Sequence, residues 1–172
     1  MKGWQITELF QLAIKEYPEL QDLYINIEES KEFSCINEGF LTYTITYTND
    51  PSFKHDYYFK NICSYLQDKY KFKDSVKMIR GFAKVFSFLH EIGHIINMDS
   101  VENEQVYYNN FKNRIYNSYH EAFKAYRNIP TESLADKTAI DLMIKYNCEI
   151  YSIMNEVTFS VAKSEIDFWN EF

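Results

Sequence analysis

Glycine and proline are scarce in this chain, which has only 4 Gly and 3 Pro among 172 residues. Few positions therefore interrupt the backbone, which excludes collagen-like and Gly/Pro-rich disordered proteins and favours long helices. The apolar fraction is 46%, and 14 Phe and 15 Tyr supply large side chains for a core. At this length we expect a single domain that spans residues 1–172.

Cysteine is also rare, and the three cysteines (Cys35, Cys63 and Cys148) form no CxxC pair. An odd number without a close pair argues against a disulfide framework or a thiolate zinc site, and favours a reducing compartment. No run approaches the roughly 20 apolar residues of a membrane span. The N-terminal residues lack the continuous apolar stretch of a signal peptide. We therefore expect a cytoplasmic protein without a membrane partner.

Positive charge is in deficit, because 18 Lys and Arg oppose 25 Asp and Glu and give a formal net charge of −7. Nucleic-acid phosphates attract basic surfaces, so we expect no nucleic-acid partner. The most basic stretch, Lys69 to Lys77, is interpreted as a solvated segment between two helices.

The N-terminal third predicts one helix and a small sheet. Apolar residues at helical spacing precede Pro18, and alternating patterns in Leu23–Ile27 and Phe40–Thr48 predict two strands. His55 to Phe59 is a weaker third strand candidate. We expect Leu41–Thr48 to be an edge strand, where it can pair with an extended peptide.

From about Asn61 onwards the pattern is helical. The predicted helices begin at Asp74 or Ser75 and continue to Ile92, then cover Val101 to Tyr126, Pro130 to about Tyr146, and Ile150 to Trp169. The predicted fold class is α+β, a mainly helical domain with a small N-terminal antiparallel sheet packed on the helix that contains the segment HEIGH.

HEIGH places His90 and His94 four residues apart, on one face of a predicted helix. Two such imidazoles can bind one zinc ion, and the Glu91 carboxylate can then take a proton from a metal-bound water. Metal-assisted amide hydrolysis requires this division of labour. Gly93 costs about 1 kcal/mol relative to alanine inside a helix, so its presence predicts a close neighbour. The spacing therefore predicts a zinc site, with one Zn²⁺ per chain.

A third protein ligand is needed to leave one coordination position open. Glu132 is the preferred candidate, in the first turn of the helix opened by Pro130. Asp136 follows one turn later, where its carboxylate can accept an N–H from a ligating imidazole. The alternative for Glu132 is a carboxylate that complements the positive N-terminus of a helix. His120 is the rival third ligand.

Amide hydrolysis also needs a donor for the developing oxyanion, commonly a Tyr or His near the metal. The candidates are Tyr116, Tyr119, His120 and Tyr126. We name His120 and Tyr126 as the catalytic candidates beside Glu91.

HEIGH followed by ESLAD (Glu132 to Asp136) resembles the gluzincin arrangement of HExxH and Glu-x-x-x-Asp. The Ala before the Asp, and the helix KTAIDLMI after it, are similar to ImmA/IrrE-type metallopeptidases of bacteria and of their phages and mobile elements. The resemblance covers roughly Ser75 to Tyr146 and implies a zincin-like fold. It implies that His90, His94 and Glu132 are the ligands, that Glu91 is the base, and that the substrate is a helix-turn-helix repressor.

The predicted function is a zinc-dependent endopeptidase that cleaves an intracellular protein through Glu91-assisted attack of a zinc-bound water. Two alternatives stay open. One is a binding protein that keeps the zincin fold without needing catalysis, for example a mobile-element effector acting on a host protein. The other is a metal-dependent hydrolase of a small amide. Glu91 favours an enzyme, since a pure binder needs no base beside the metal.

Overall fold

A computed structural model describes residues 1–49, 56–71 and 73–172. The strands in these ranges are β1 (Tyr24–Glu29), β2 (Ser34–Gly39) and β3 (Thr42–Tyr47), and short 3-10 helices cover Pro18–Asp22 and Met98–Ser100. The α-helices are α1 (Gly3–Glu16), α2 (Asp56–Tyr70), α3 (Asp74–Lys77), α4 (Phe82–Ile96), α5 (Glu104–Lys112), α6 (Tyr119–Arg127), α7 (Pro130–Lys145), α8 (Asn147–Asn155) and α9 (Phe159–Asn170). The mainly helical α+β class is confirmed. None of these helices combines the length and the hydrophobicity needed to cross a membrane.

The three strands form one sheet in the order β1-β3-β2. β2 and β3 are antiparallel and are joined by the two-residue turn Phe40-Leu41, whereas β1 and β3 are parallel. The sheet is therefore mixed rather than antiparallel, because the chain reverses twice between β1 and β3. The prediction that Leu41–Thr48 is an edge strand is wrong: β3 is central, and β2 is the edge strand on that side.

Helix α4 lies at the centre of the core. Phe86, Phe88, Leu89 and Ile92 are fully buried. The sheet packs on α4 through β2 and β3, as predicted, and α7 packs along another side. A helix that is covered on most sides can hold polar side chains in fixed positions. The histidines of HEIGH therefore project from a rigid element.

Helices α4 and α7 approach closely at Gly93. A β carbon at this position would lie 2.8 Å from both the Cα and the carbonyl oxygen of Ala135. The predicted close neighbour of Gly93 is thus confirmed. At the end of α4, the Asn97 side-chain amide donates to Thr138 Oγ1 at 2.9 Å and ties the two helices further. This approach brings the first turn of α7 to the face of α4 that carries the histidines.

Gly93→Ala is expected to destabilise the fold by about 1–3 kcal/mol, because the added methyl group must push α7 away. In a helix without this contact, the same substitution would stabilise by up to about 1 kcal/mol. Gly3→Ala is the matched control, since its β carbon would meet only the Tyr47 hydroxyl, at 3.9 Å. Urea denaturation measures both free energies of unfolding. A Gly93→Ala protein as stable as wild type would contradict the packing of α4 on α7.

Two of the predicted helices are divided where the backbone turns left-handed. The helix expected from Asp74 to Ile92 is interrupted before Gly81, where φ is 65°, so α3 and α4 are separate. The stretch expected from Ile150 to Trp169 is interrupted at Glu156, where φ is 61°. A left-handed residue cannot continue an α-helix, so a new helix begins after each of these positions.

The helix expected from Val101 to Tyr126 is also divided, into α5 and α6. Ser118 is the N-terminal capping residue of α6, because its hydroxyl accepts a hydrogen bond of 3.2 Å from the backbone N–H of Glu121. The strand expected at His55 to Phe59 is wrong, since residues 56–59 belong to α2. His55 itself lies outside the described residues.

Candidate metal centre

The candidate site lies where α4 meets the first turn of α7. His90 Nε2 is 3.0 Å from His94 Nε2 and 3.2 Å from Glu132 Oε2. His94 Nε2 is 3.6 Å from the other Glu132 oxygen, Oε1. The structure thus brings His90, His94 and Glu132 together as a group that could hold a metal ion.

These separations fit a tetrahedral zinc site. With bonds of about 2.0–2.1 Å to zinc, two ligand atoms of a tetrahedron lie about 3.3–3.4 Å apart. The two distances from His90 Nε2, 3.0 Å to His94 Nε2 and 3.2 Å to Glu132 Oε2, lie slightly below that value. The 3.6 Å distance from His94 Nε2 ends on the other carboxylate oxygen, Oε1. Two imidazoles and one carboxylate also leave a fourth position for water or substrate.

Asp136 orients the His90 ring. Its Oδ1 lies 3.0 Å from His90 Nδ1, and the aspartate is fully buried. A proton on Nδ1 directed at this carboxylate leaves the lone pair of Nε2 free to bind a metal. The structure places Asp136 where the sequence predicted an anchor for a ligating imidazole.

Arg127, to which no sequence pattern points, lies beside the group and is only 2% exposed. Its Nη1 is 3.1 Å from Asp136 Oδ1 and 3.4 Å from Glu132 Oε2. The guanidinium carbon lies 5.4 Å and 5.8 Å from the ring centroids of Phe86 and Phe123. Aromatic faces can accommodate a buried guanidinium, which is planar and weakly hydrated. One cation thus contacts both buried carboxylates.

The charges around the group do not cancel. When ionised, Glu91, Glu132 and Asp136 carry three negative charges. Arg127 carries one positive charge, and His90, whose pKa is raised to about 8, carries a second when no metal is bound. An uncompensated charge removed from water costs several kcal/mol. The negative charge that remains favours a cation, so the charge balance supports the same conclusion as the distances.

Two tyrosines hold the Oε1 oxygen of Glu132. Tyr126 donates to it at 2.8 Å and Tyr108 at 2.6 Å. Burial raises the pKa of each phenol, and the charge of Glu132 raises it further, so both remain protonated donors at neutral pH. The carboxylate is therefore fixed with Oε2 towards His90. The sequence pointed to Tyr126 but not to Tyr108.

Burial and neighbouring charges set the protonation of the three candidate ligands. Burial, together with His90, lowers the pKa of His94 to about 4, so this ring is neutral and able to bind a metal. Burial and Arg127 lower the pKa of His90, but hydrogen bonds to Asp136 and Glu132 outweigh them and raise it to about 8. Burial raises the pKa of Glu132, but the hydrogen bond and charge of His90 prevail and lower it to about 2. Glu132 is therefore an ionised candidate ligand at neutral pH.

Glu91 lines the cleft beside the ligands without belonging to their group. Burial raises the pKa of its carboxyl, and the neighbouring His90 opposes that shift. A carboxyl whose pKa is raised towards neutrality is suited to accept a proton and return it. The placement of Glu91 fits the predicted general base.

A cleft of about 630 Å³ opens over the group. Strand β2 lines it through Phe33, Ser34, Cys35 and Asn37, which lie in or just before the strand, and α5 lines it through Tyr108. The volume is typical of ligand-binding sites. Within the described residues, no strand pairs with the outer edge of β2, so an extended peptide can add to the sheet there.

No protein family, curated protein or solved structure matched the chain when it was compared with each. The interpretation of the site therefore rests on its geometry, its charges and the motif.

Three of the sequence candidates lie away from the group. His120 is exposed, with Nδ1 3.3 Å from Asn61 Oδ1, and it does not line the cleft. Tyr116 donates to the carbonyl oxygen of Phe111 at 3.0 Å, and Tyr119 is exposed. His120 lies in the first turn of α6, whereas the end of that helix contacts the site. The structure therefore brings His120 to the group neither as a third ligand nor as a donor.

Arg127→Met is expected to destabilise the protein by about 3–5 kcal/mol, because two buried carboxylates lose their counter-charge. Saturating zinc is expected to recover part of this loss, since a divalent cation supplies positive charge at Glu132. Arg114→Met is the matched control, because Arg114 is an exposed arginine that forms an ion pair with Glu121. An exposed ion pair contributes less than about 1 kcal/mol to the free energy of unfolding. Chemical denaturation with and without zinc measures the effect. Equal destabilisation in the two variants would contradict the role given to Arg127.

Proposed function

We propose that this chain is a zinc-dependent endopeptidase in which His90, His94 and Glu132 hold the metal and Glu91 is the general base. The observation that supports the proposal is the group of His90, His94 and Glu132 on two facing helices, which could hold a metal ion, with the Glu91 carboxyl in the same cleft. The HEIGH and ESLAD motifs and their resemblance to ImmA/IrrE-type metallopeptidases support the same activity.

Each residue of the site has a defined task in this proposal. A zinc ion bound there supplies Lewis-acid polarisation of the substrate carbonyl and lowers the pKa of water. Glu91 accepts the proton of the attacking water and returns it to the leaving amine. Asp136 holds the proton on His90 Nδ1. The hydroxyls of Tyr108 and Tyr126 donate to Glu132 Oε1 and hold that carboxylate in place.

The cleft favours an extended peptide over a small amide. In the part of the chain that the structure describes, no strand pairs with the outer edge of β2, which offers backbone donors and acceptors along one wall of the cleft. A small amide would leave most of these groups unused. A helix-turn-helix repressor is the substrate that the resemblance implies. We propose an intracellular protein of this class, cleaved at an exposed segment that can become extended.

The activity is tested with zinc-loaded protein and a library of quenched fluorescent peptides. We expect cleavage that stops when phenanthroline removes the metal and returns when zinc is added, because the metal polarises the scissile carbonyl. Zinc-loaded protein that cleaves neither the library nor a co-expressed repressor would contradict the proposal. It would favour instead a protein that acts by binding alone.

A further inference from the structure

The exposed charged residues of the cleft have one sign. Glu32 precedes β2 and Glu104 begins α5, and both are exposed residues that line the cleft. Neither carboxylate forms an ion pair with another residue in the described ranges. Arg127, a basic residue of the lining, is buried beside the candidate ligands. The open part of the cleft therefore presents unneutralised negative charge.

Ser87 is an independent sign of an unfilled contact. It lines the same cleft, it is only 4% exposed, and its hydroxyl has no hydrogen-bond partner within the described part of the chain. Buried hydroxyls are normally hydrogen-bonded, since leaving one unpaired is unfavourable. A ligand with a donor that reaches Ser87 Oγ would supply the absent partner.

The packing of β2 on α4 places Glu32 and Ser87 at the same end of the cleft. The backbone N–H of Cys35 lies near the Glu91 carboxylate. Further along β2, Asn37 Nδ2 lies 3.0 Å from Sδ of Met98, which is in the 3-10 helix that follows α4. The two elements therefore run in the same direction. Two strand residues advance about 6.6 Å and four helical residues about 6.0 Å. Two residues before Cys35 in β2, position 33 is therefore opposite Ser87, which lies four residues before Glu91 in α4. Glu32 is adjacent to position 33 in the chain.

We propose that the cleft selects an extended peptide with basic side chains, which are bound by Glu32 and Ser87 on one side and by Glu104 at the start of α5. This inference rests on the proposed peptidase function and specifies its substrate class. A lysine ammonium has three donors and an arginine guanidinium has five, so either can reach a hydroxyl and a carboxylate together. A glutamate side chain would meet two like charges. The net charge of −7 adds long-range attraction for a basic partner.

The test measures binding in zinc-loaded Glu91→Gln protein, which is expected to hold peptides without cleaving them. The probes are fluorescein-labelled peptides of identical length that differ only in carrying Lys, Gln or Glu at alternate positions. Fluorescence anisotropy is expected to show the Lys peptide binding about tenfold more tightly than the Gln peptide, and the Glu peptide most weakly. Added salt is expected to reduce the Lys preference.

Single substitutions assign the preference to residues. Glu32→Gln, Glu104→Gln and Ser87→Ala are each expected to weaken Lys-peptide binding about threefold to fivefold, with little change for the Gln peptide. Glu102→Gln is the matched control, because Glu102 is exposed and near Glu104 but does not line the cleft. Ser87→Ala removes an unpaired hydroxyl, so its Tm is expected not to fall. Weaker binding at an unchanged Tm then reports recognition rather than folding.

The outcomes separate this inference from the proposed activity. Equal binding of Lys and Gln peptides, absence of binding by all three peptides, or no effect of the three substitutions overturns the preference for basic peptides. In any of these cases, zinc-dependent cleavage by wild type would still support the proposed peptidase activity. Selective binding of the Lys peptide, without cleavage of any peptide by zinc-loaded wild type, would support the recognition and contradict the peptidase.

Discussion

Glu91→Gln is expected to slow peptide cleavage by the zinc-loaded protein about a hundredfold to ten-thousandfold, the usual contribution of a general base. The amide keeps the size of the carboxyl but cannot accept a proton from water. Because Glu91 lies outside the ligand group, zinc content is expected to remain one ion per chain. The measurements are kcat/KM on a peptide identified with wild type, and zinc content by mass spectrometry.

Glu102→Gln controls for the change in net charge, since it removes one carboxylate from an exposed position outside the cleft. Its kcat/KM is expected to match that of wild type. If Glu91→Gln cleaved as fast as wild type, Glu91 would not be the base. If the variant failed to bind zinc, Glu91 would be a ligand and the division of roles would be wrong.

His94→Ala and Glu132→Ala are expected to abolish tight zinc binding, because each leaves only two protein ligands. Asp136→Asn is expected to weaken zinc binding by about 10–100-fold, the usual effect of losing an outer hydrogen-bond partner. The two ligand substitutions are expected to weaken zinc binding more than Asp136→Asn does. Competition with a chromophoric chelator measures the Kd of zinc for each variant.

His120→Ala is the matched control for the ligand substitutions. His120 is exposed and contacts Asn61 away from the group, so its loss is expected to leave the Kd of zinc unchanged. Zinc binding that depends on His120 but survives Glu132→Ala would identify His120 as the third ligand. Such a result would require a different arrangement of α6 and α7.

Local spacing in the sequence was enough to point to most of the group. His90 and His94 are one helical turn apart, Glu132 follows a helix-starting proline, and Asp136 lies one turn after Glu132. Each of these relations lies within one helix. The association of the two helices was predicted through the shared metal site, whereas the close neighbour expected at Gly93 named no partner helix.

Arg127 and Tyr108 were not anticipated, because their roles depend on contacts between elements that sequence spacing does not encode. Arg127 is one of several charged residues on a polar helix, and its burial between Phe86 and Phe123 depends on how α6 packs. Tyr108 is one of 15 tyrosines. Its hydroxyl reaches Glu132 only because α5 folds back over α7.

The missed edge strand has a local explanation. β2 reads SCINEG, in which Ile36 is the only strongly strand-forming residue, so its composition gives little sign of a strand. The turn that follows lacks the Asn-Gly pair typical of tight hairpins. Phe40 and Leu41 occupy it instead, with φ values of 49° and 60°. Without β2, the central strand β3 was predicted to be the edge strand.

Diffraction from zinc-soaked crystals at the zinc absorption edge tests the central claim most directly. The account predicts one anomalous peak per chain, about 2.0–2.2 Å from Nε2 of His90, Nε2 of His94 and a carboxylate oxygen of Glu132. A peak coordinated by other residues, or no peak at saturating zinc, would contradict it.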